Sequence, residues 1–378
     1  MRDRDYNHSR PLDVHRWSNY SEVNTFINEI YNNHIKDVSE NANIQKKHLK
    51  LVLLDLFIAW IDDPELNIGV HMHEGAYSDG TVFNKGKSRY NELNIKVSTI
   101  KVVHRLRDLG FIGFKKGYEG SVEYAPRLSR IWGKDKLIKL FKDAAFSYFD
   151  INYSKDREVV ILRNEDKVDL EYEDNETTEA MRELLHKYNE LLRTTFIDIP
   201  ELDIPRIELK EKKKRRKNNK PVFVNITHHD KFTRRIFNNS TFEEGGRFYG
   251  GWWQRVDESH RSRIRLNNKA TVEIDYSALH VILAYAKVNV DYWKLTDKDP
   301  YRVLIDGVEN PEHIRDINKL FFLLSLNASN EISLYKAFRS ELDYKEYPYK
   351  FPDKVLAQLL EDIKLLHPKI AHLICSGA

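Results

Sequence analysis

A single cysteine, Cys375, stands in the 378 residues, so no internal disulfide framework can form and the chain suits a reducing compartment. The opening residues, MRDRDYNHSRPLDVHRW, hold no apolar core of signal-peptide length. The longest apolar run, around Leu51–Ile61, is interrupted by Asp55 and is too short to span a bilayer. Together these absences predict a cytoplasmic protein with no membrane partner. A net charge of only +3 excludes a polycation, so any nucleic-acid contact must come from local clusters of Lys and Arg. No internal repeat is present. His71, His73, His228 and His229 come without paired cysteines or H-E-x-x-H spacing, which argues against zinc.

Hydrophobic residues make up 41% of the chain and aromatics 12%, enough for real cores. The length suits two or three domains, and the pattern predicts an α+β protein. Residues 1–45 read as a polar, Asn-rich helical extension with an amphipathic stretch at Val23–Ile35. Residues 46–150 then give a helix at Gln45–Ile61 with Leu51, Leu54, Ile58 and Ile61 on one face. A short helix at Ser88–Leu93 and a longer one at Val97–Leu109, capped by Ser98, follow. Two strand-like runs, Phe111–Lys116 and Ser121–Tyr124, flank a Gly-bearing turn. That order is the order of a winged helix-turn-helix domain.

Such a unit lays its second helix in the major groove of duplex DNA and touches the backbone with its wing. Here that helix carries Lys101, His104, Arg105 and Arg107, with Lys96 just before it, and the wing adds Lys115 and Lys116. The competing reading is an ordinary solvated helix face, or a protein-docking use of the same fold.

Residues 151–220 begin β-leaning and charged to Tyr172. A helix at Thr177–Leu192 follows, with Met181, Leu184, Leu185, Tyr188 and Leu192 as its stripe. Pro200 and Pro205 break the chain before the basic run Leu209–Pro221, a loop that is either simply solvated or meets phosphate.

Residues 221–378 carry the chemistry. The stretch Gly245–His280 places a Gly-rich, Arg-bearing aromatic segment ahead of a β-patterned run. Alternating Val272, Ile274 and Tyr276 predict a strand ending near Asp275–Ser277, where a carboxylate can hold Mg²⁺ against phosphates. Taken alone, such an aspartate is more often a turn or cap residue. Downstream, Asn310, Pro311 and Glu312 predict a helix start. Arg315, Lys319 and Asn327 fall near one stripe of that helix, opposite Ile317, Leu320, Phe321 and Leu324. Two cations one turn apart can grip a triphosphate, and can equally be a plain surface pair. The aromatics Phe248, Tyr249, Trp252 and Trp253 suit either base stacking or a packed core.

In this order the region from about residue 237 to 330 resembles the palm and fingers of family A DNA polymerases, relatives of the phage-type single-subunit polymerases. Gly245-Gly246-Arg247 is similar to the family's T-G-R segment, and Gln254 to the glutamine of its downstream primer-contacting stretch. Ile264-Arg265 resembles the I-R before the metal strand. Asp275-Tyr276-Ser277 matches the start of D-Y-S-Q-I-E-L-R, and Arg315 with Lys319 matches the R-x-x-x-K of the fingers helix. The helix at Thr177–Leu192 takes the place of a thumb.

The resemblance implies nucleotidyl transfer with two Mg²⁺ ions, Asp275 being a metal ligand. Arg315, Lys319, Tyr276, His280 and Asn327 would face a nucleoside triphosphate, and Arg247, Gln254 and Arg265 a primer–template DNA. His280 stands where the family has its sugar-selecting glutamate, and Leu323 and Asn327 where it has large aromatic positions. The later motif with the second metal-binding aspartate has no counterpart. Asp343, Asp353 and Asp362 lack its hairpin pattern, and the His229-Asp230 pair precedes Asp275. The expectation is therefore a C-terminally incomplete palm. It belongs to a phage or mobile-element polymerase, alone or completed by a partner protein. The alternative is a non-catalytic DNA-binding replication initiator or regulator.

Overall fold

The computed structural model describes residues 4–36, 41–78, 88–118, 127–209, 222–345 and 347–376. The expected wing strand Ser121–Tyr124 lies outside these residues, as does the basic run after Leu209. The described chain is a mixture of helices and short strands. No helix among the described residues is long and apolar enough to cross a membrane. Two compact units meet in sequence at Val272 and Glu273.

The first unit opens with β1 (Ser9–Pro11), β2 (Arg16–Trp17) and α1 (Ser21–Ile30). Helix α2 (Ala42–Asp62) starts where Asn41 accepts the amides of Asn43 and Ile44. The predicted apolar stripe understates it, since residues all round its middle turns are buried, as in a helix at the centre of a core. Only Ile61 of the expected stripe is exposed, at 45%.

Asp55, the charge that interrupts this apolar run, is fully buried. Arg10 meets it with two hydrogen bonds of 2.8 Å, and the Asp13 amide adds a third at 3.0 Å. A buried carboxylate is tolerable only when so satisfied. Asp55 thus ties the N-terminal segment to α2.

Strand β3 (Asn67–Val70), α3 (Ser98–Asp108), β4 (Ile112–Lys115), β5 (Ser129–Gly133) and α4 (Asp135–Lys142) complete this part. The sheet runs β1-β3-β5-β4, with β4 and β5 antiparallel, β5 antiparallel to β3, and β1 parallel to β3. The partner of β4 is therefore Ser129–Gly133. Phe26, Phe57, Phe111, Phe141 and Ile131 belong to the core beneath the sheet.

The rest of the unit holds β6 (Asn152–Tyr153), β7 (Val160–Arg163), β8 (Asp169–Leu170), α5 (Glu176–Thr194), β9 (Ile197–Asp198), β10 (Arg206–Leu209), β11 (Val222–Asn225), β12 (Arg234–Phe237), β13 (Gly245–Tyr249), α6 (Glu258–Arg261), β14 (Arg265–Leu266) and β15 (Lys269–Ala270). A second four-stranded sheet runs β13-β12-β7-β8, which makes β13 an edge. Leu185 and Leu192 of α5 are buried, whereas Leu184 and Tyr188 of the same predicted stripe are 66% and 40% exposed. Trp252 is fully buried in a core with Ile197, Ile199 and Ile264.

Among its described residues the second unit is helical. It comprises α7 (Leu279–Lys287), α8 (Tyr292–Leu295), α9 (Pro311–Asn327), α10 (Glu331–Lys345) and α11 (Asp353–Leu366). Phe321, Phe322, Phe338, Leu356 and Ile370 form its centre. Asn310 caps α9 as its sequence predicts, accepting the Glu312 and His313 amides. Trp293 of α8 is 44% exposed.

Candidate nucleic-acid interface

Two buried side chains set the start of α3. Asn91 accepts the Ile95 amide at 2.8 Å and donates to the Ile95 carbonyl at 3.0 Å. His48, inside α2, accepts the Lys96 amide on Nε2 at 2.9 Å, so its Nδ1–H donates to the Ile44 carbonyl at 2.7 Å. With both nitrogens committed to the neutral ring, burial pushes the His48 pKa down to about 4. The expected helix at Ser88–Leu93 is instead a pair of turns. Asn91 spends its side chain closing the loop onto Ile95 rather than supporting a helix.

Lys101 and Arg105 of α3 are exposed, and His104 and Arg107 are half-buried. Arg105 Nε donates to the His34 carbonyl at 3.2 Å, and Arg107 pairs with Asp108 at 2.8 Å while lying over the Phe114 ring. Lys115 and Lys116, at the end of β4, are exposed, and the Lys115 ammonium lies 5.5 Å from the Tyr6 ring. One helix and one strand end of a single sheet-backed layer thus carry four exposed cations.

The Gly-Gly-Arg segment forms the edge strand β13, with a register shift opposite Ile236 and Phe237. Gly245 and Gly246 have φ of +87° and +66°, and a Cβ on Gly246 would lie 2.6 Å from the Phe237 ring. Glycine is therefore required for the bulge. Arg247, Phe248 and Tyr249 are exposed on this edge. Gln254 is otherwise engaged: its Oε1 accepts the Gly250 amide at 3.0 Å and its Nε2 donates to the Phe248 carbonyl at 3.2 Å. It staples the turn after β13. Arg265 sits 3.9 Å from Glu201 on β14.

Asp275 and Tyr276 are exposed in residues 271–276, which cross from the first unit into the second and run without strand pairing. The expected strand is absent there because no neighbouring backbone bonds to it. Its alternating residues Val272, Ile274 and Tyr276 are 85%, 78% and 72% exposed. Ala278, with φ +54°, turns the chain into α7, whose first turn exposes His280.

Arg315 and Lys319 are exposed one turn apart on α9. Arg315 donates to Asp299 at 2.7 Å, and that hydrogen bond raises its pKa and lowers that of Asp299. Asn327 donates to the Leu323 carbonyl of its own helix at 2.8 Å. Among the described residues no hydrogen bond or ion pair joins Asp275 to Arg315 or Lys319.

The described residues do not gather the carboxylates of a two-metal site. Among the described residues no group of three His, Cys, Asp or Glu side chains can hold a metal ion. Asp353 pairs with Arg339, and Asp362 accepts from Gln358 at 2.9 Å. Of the His229-Asp230 pair, the imidazole is buried against Tyr148 and the carboxylate pairs with Arg255.

Comparison with family models, curated proteins and solved structures gives no match to this chain.

Proposed function

We propose that this chain is a duplex-DNA-binding protein of the replication-initiator or regulator type, with a winged helix-turn-helix spanning α2 to β5. The observation that carries this is the order α2, β3, turns, α3, β4, β5 folded into a sheet with β5 between β3 and β4. In a winged helix that arrangement offers the helix before the hairpin to the major groove. Lys101 and Arg105 on that helix, with Lys115 and Lys116 on the hairpin, supply the phosphate-neutralising charge.

The test is anisotropy titration of a labelled duplex at several salt concentrations, comparing the native chain with Lys101→Glu/Arg105→Glu. The native slope of log K against log salt should flatten by about two, at roughly 0.9 per lost phosphate contact. An unchanged slope and affinity would defeat the assignment.

A second reading, template-directed nucleotidyl transfer from nucleoside triphosphates on a primer–template, is favoured by one observation. The segment bearing Asp275 has the alternation of a strand, exposes its apolar side chains and pairs with nothing among the described residues. On this reading a partner strand covers Val272, Ile274 and Tyr276 and brings the second carboxylate. Primer extension with Mg²⁺ decides it, run beside Asp275→Ala. Incorporation that survives this substitution would remove Asp275 as the metal ligand.

A further inference from the structure

A concavity of about 730 Å³ in the first unit is lined by no residue of α3 or β13. It is bounded by the end of α4's following loop, the C-terminal half of α5 and the turn before β12. Its size is that of a small-molecule pocket.

Two phenylalanines in its wall are poorly covered for such apolar rings: Phe149 is 73% exposed and Phe196 48%. Exposed rings lining a hollow are available stacking platforms. Beside them His228 has a fixed tautomer. Lys231, itself buried, donates to the Thr195 carbonyl at 2.5 Å and to His228 Nδ1 at 3.1 Å. The His228 proton therefore sits on Nε2, the nitrogen that Lys231 leaves open. Burial, with Lys231 and Arg193 close by, holds this ring neutral, its pKa down to about 4. Next to it His229, 8% exposed, has an Nε2 with no partner.

Charge in the wall is mainly positive. Lys155 is exposed, and Arg193 is shared with Glu190 at 2.5 Å. The three imidazoles that line the hollow, His186, His228 and His229, form no group able to hold a metal ion. What the wall offers is aromatic faces, a neutral ring N–H donor and a cation. A planar heterocycle with polar edges and an anionic tail uses all three.

We infer that this cavity binds one nucleotide unit, its base stacked on Phe149 and Phe196, an edge of the base bonded to His228 Nε2–H, and its phosphate near Lys155. The unit comes either from a free nucleoside phosphate or from an unpaired position in a nucleic-acid strand. The inference stands apart from the winged-helix reading and uses none of its residues.

The experiment uses the full chain. Equilibrium binding is measured for the nucleoside 5′-monophosphates and for a 12-nucleotide single strand. Ribose 5-phosphate and inorganic phosphate serve as baseless controls. Saturable binding of the monophosphates, of the strand or of both is expected, at least ten-fold tighter than of the controls. Phe149→Ala and Lys155→Ala lie at exposed positions and leave the fold intact by circular dichroism. Each should weaken that binding about ten-fold. Lys101→Glu/Arg105→Glu should leave monophosphate binding unchanged, which separates this site from the duplex interface. Binding by the monophosphates identifies a free ligand, and binding by the strand alone identifies an unpaired base. No saturable binding in either arm overturns the inference, as does equal affinity for inorganic phosphate. So does binding indifferent to both Phe149→Ala and Lys155→Ala.

Discussion

His48 and Lys96, 48 positions apart, are joined by a hydrogen bond in which the buried imidazole accepts the backbone amide that precedes α3. The bond exists only for the neutral ring, because Nε2 must present a lone pair. The start of α3 is therefore set in place by a titratable group that belongs to another helix.

A pH dependence of stability follows. The unfolded histidine has a pKa near 6.5, and the folded one is depressed to about 4. The folded state thus binds fewer protons between these values. Its stability from this group is complete above about pH 6.5 and declines as pH falls towards 4. The loss is on the order of 3 kcal/mol. Urea titrations from pH 7 to pH 4 on the native chain and His48→Gln measure it, and the variant should show the shallower decline. Parallel curves would mean that His48 is not the group responsible.

Asp55 and Arg10 give a second expectation. Removing one partner strands a charge in the core, so Asp55→Asn should cost about 3–5 kcal/mol in denaturant unfolding. The paired replacement Arg10→Met/Asp55→Leu removes both charges and should recover much of that loss. A double variant as unstable as the single one would show that the pair's shape, not its charge balance, matters.

Gly250 and Gly110 separate two reasons for a glycine. Both have positive φ, but a Cβ at Gly110 meets nothing within 4 Å, whereas one at Gly250 would lie 1.8 Å from the Phe232 carbonyl oxygen. Gly110→Ala should cost about 1–2 kcal/mol of backbone strain. Gly250→Ala should cost clearly more, about 3 kcal/mol or above, because backbone must also move. Thermal denaturation of the two variants orders them, and equal losses would contradict the close approach at Phe232.

Local signals in the sequence carried much of the helical structure. Asn310 and Pro311 mark the start of α9, and the periodicities around Leu54, Val103 and Leu185 mark α2, α3 and α5 to within a few residues. What lay beyond reach was whatever depends on distant partners. The alternation of Val272, Ile274 and Tyr276 is a sound strand pattern, but a strand needs a second backbone, and no local pattern says whether one is supplied. The stripe of α5 is equally regular, yet the fold covers Met181, Leu185 and Leu192 and leaves Leu184 and Tyr188 exposed. Nothing in the sequence around Arg315 and Gln254 shows their engagement, because their bonds to Asp299 and to the turn at Gly250 depend on how the chain folds back. The cavity at Phe149 and His228 draws on three separated stretches and leaves no motif.

Tryptophan placement has a practical consequence for all the unfolding measurements above. Five of the six tryptophans, Trp17, Trp60, Trp132, Trp252 and Trp253, lie in the first unit, and Trp252 is wholly shielded from water. The second unit has Trp293 alone, already half in solvent. Intrinsic emission will redden strongly when the first unit opens and hardly at all when the second does. Far-ultraviolet ellipticity, to which the helices α7 to α11 contribute heavily, is the optical channel in which that second unit becomes visible.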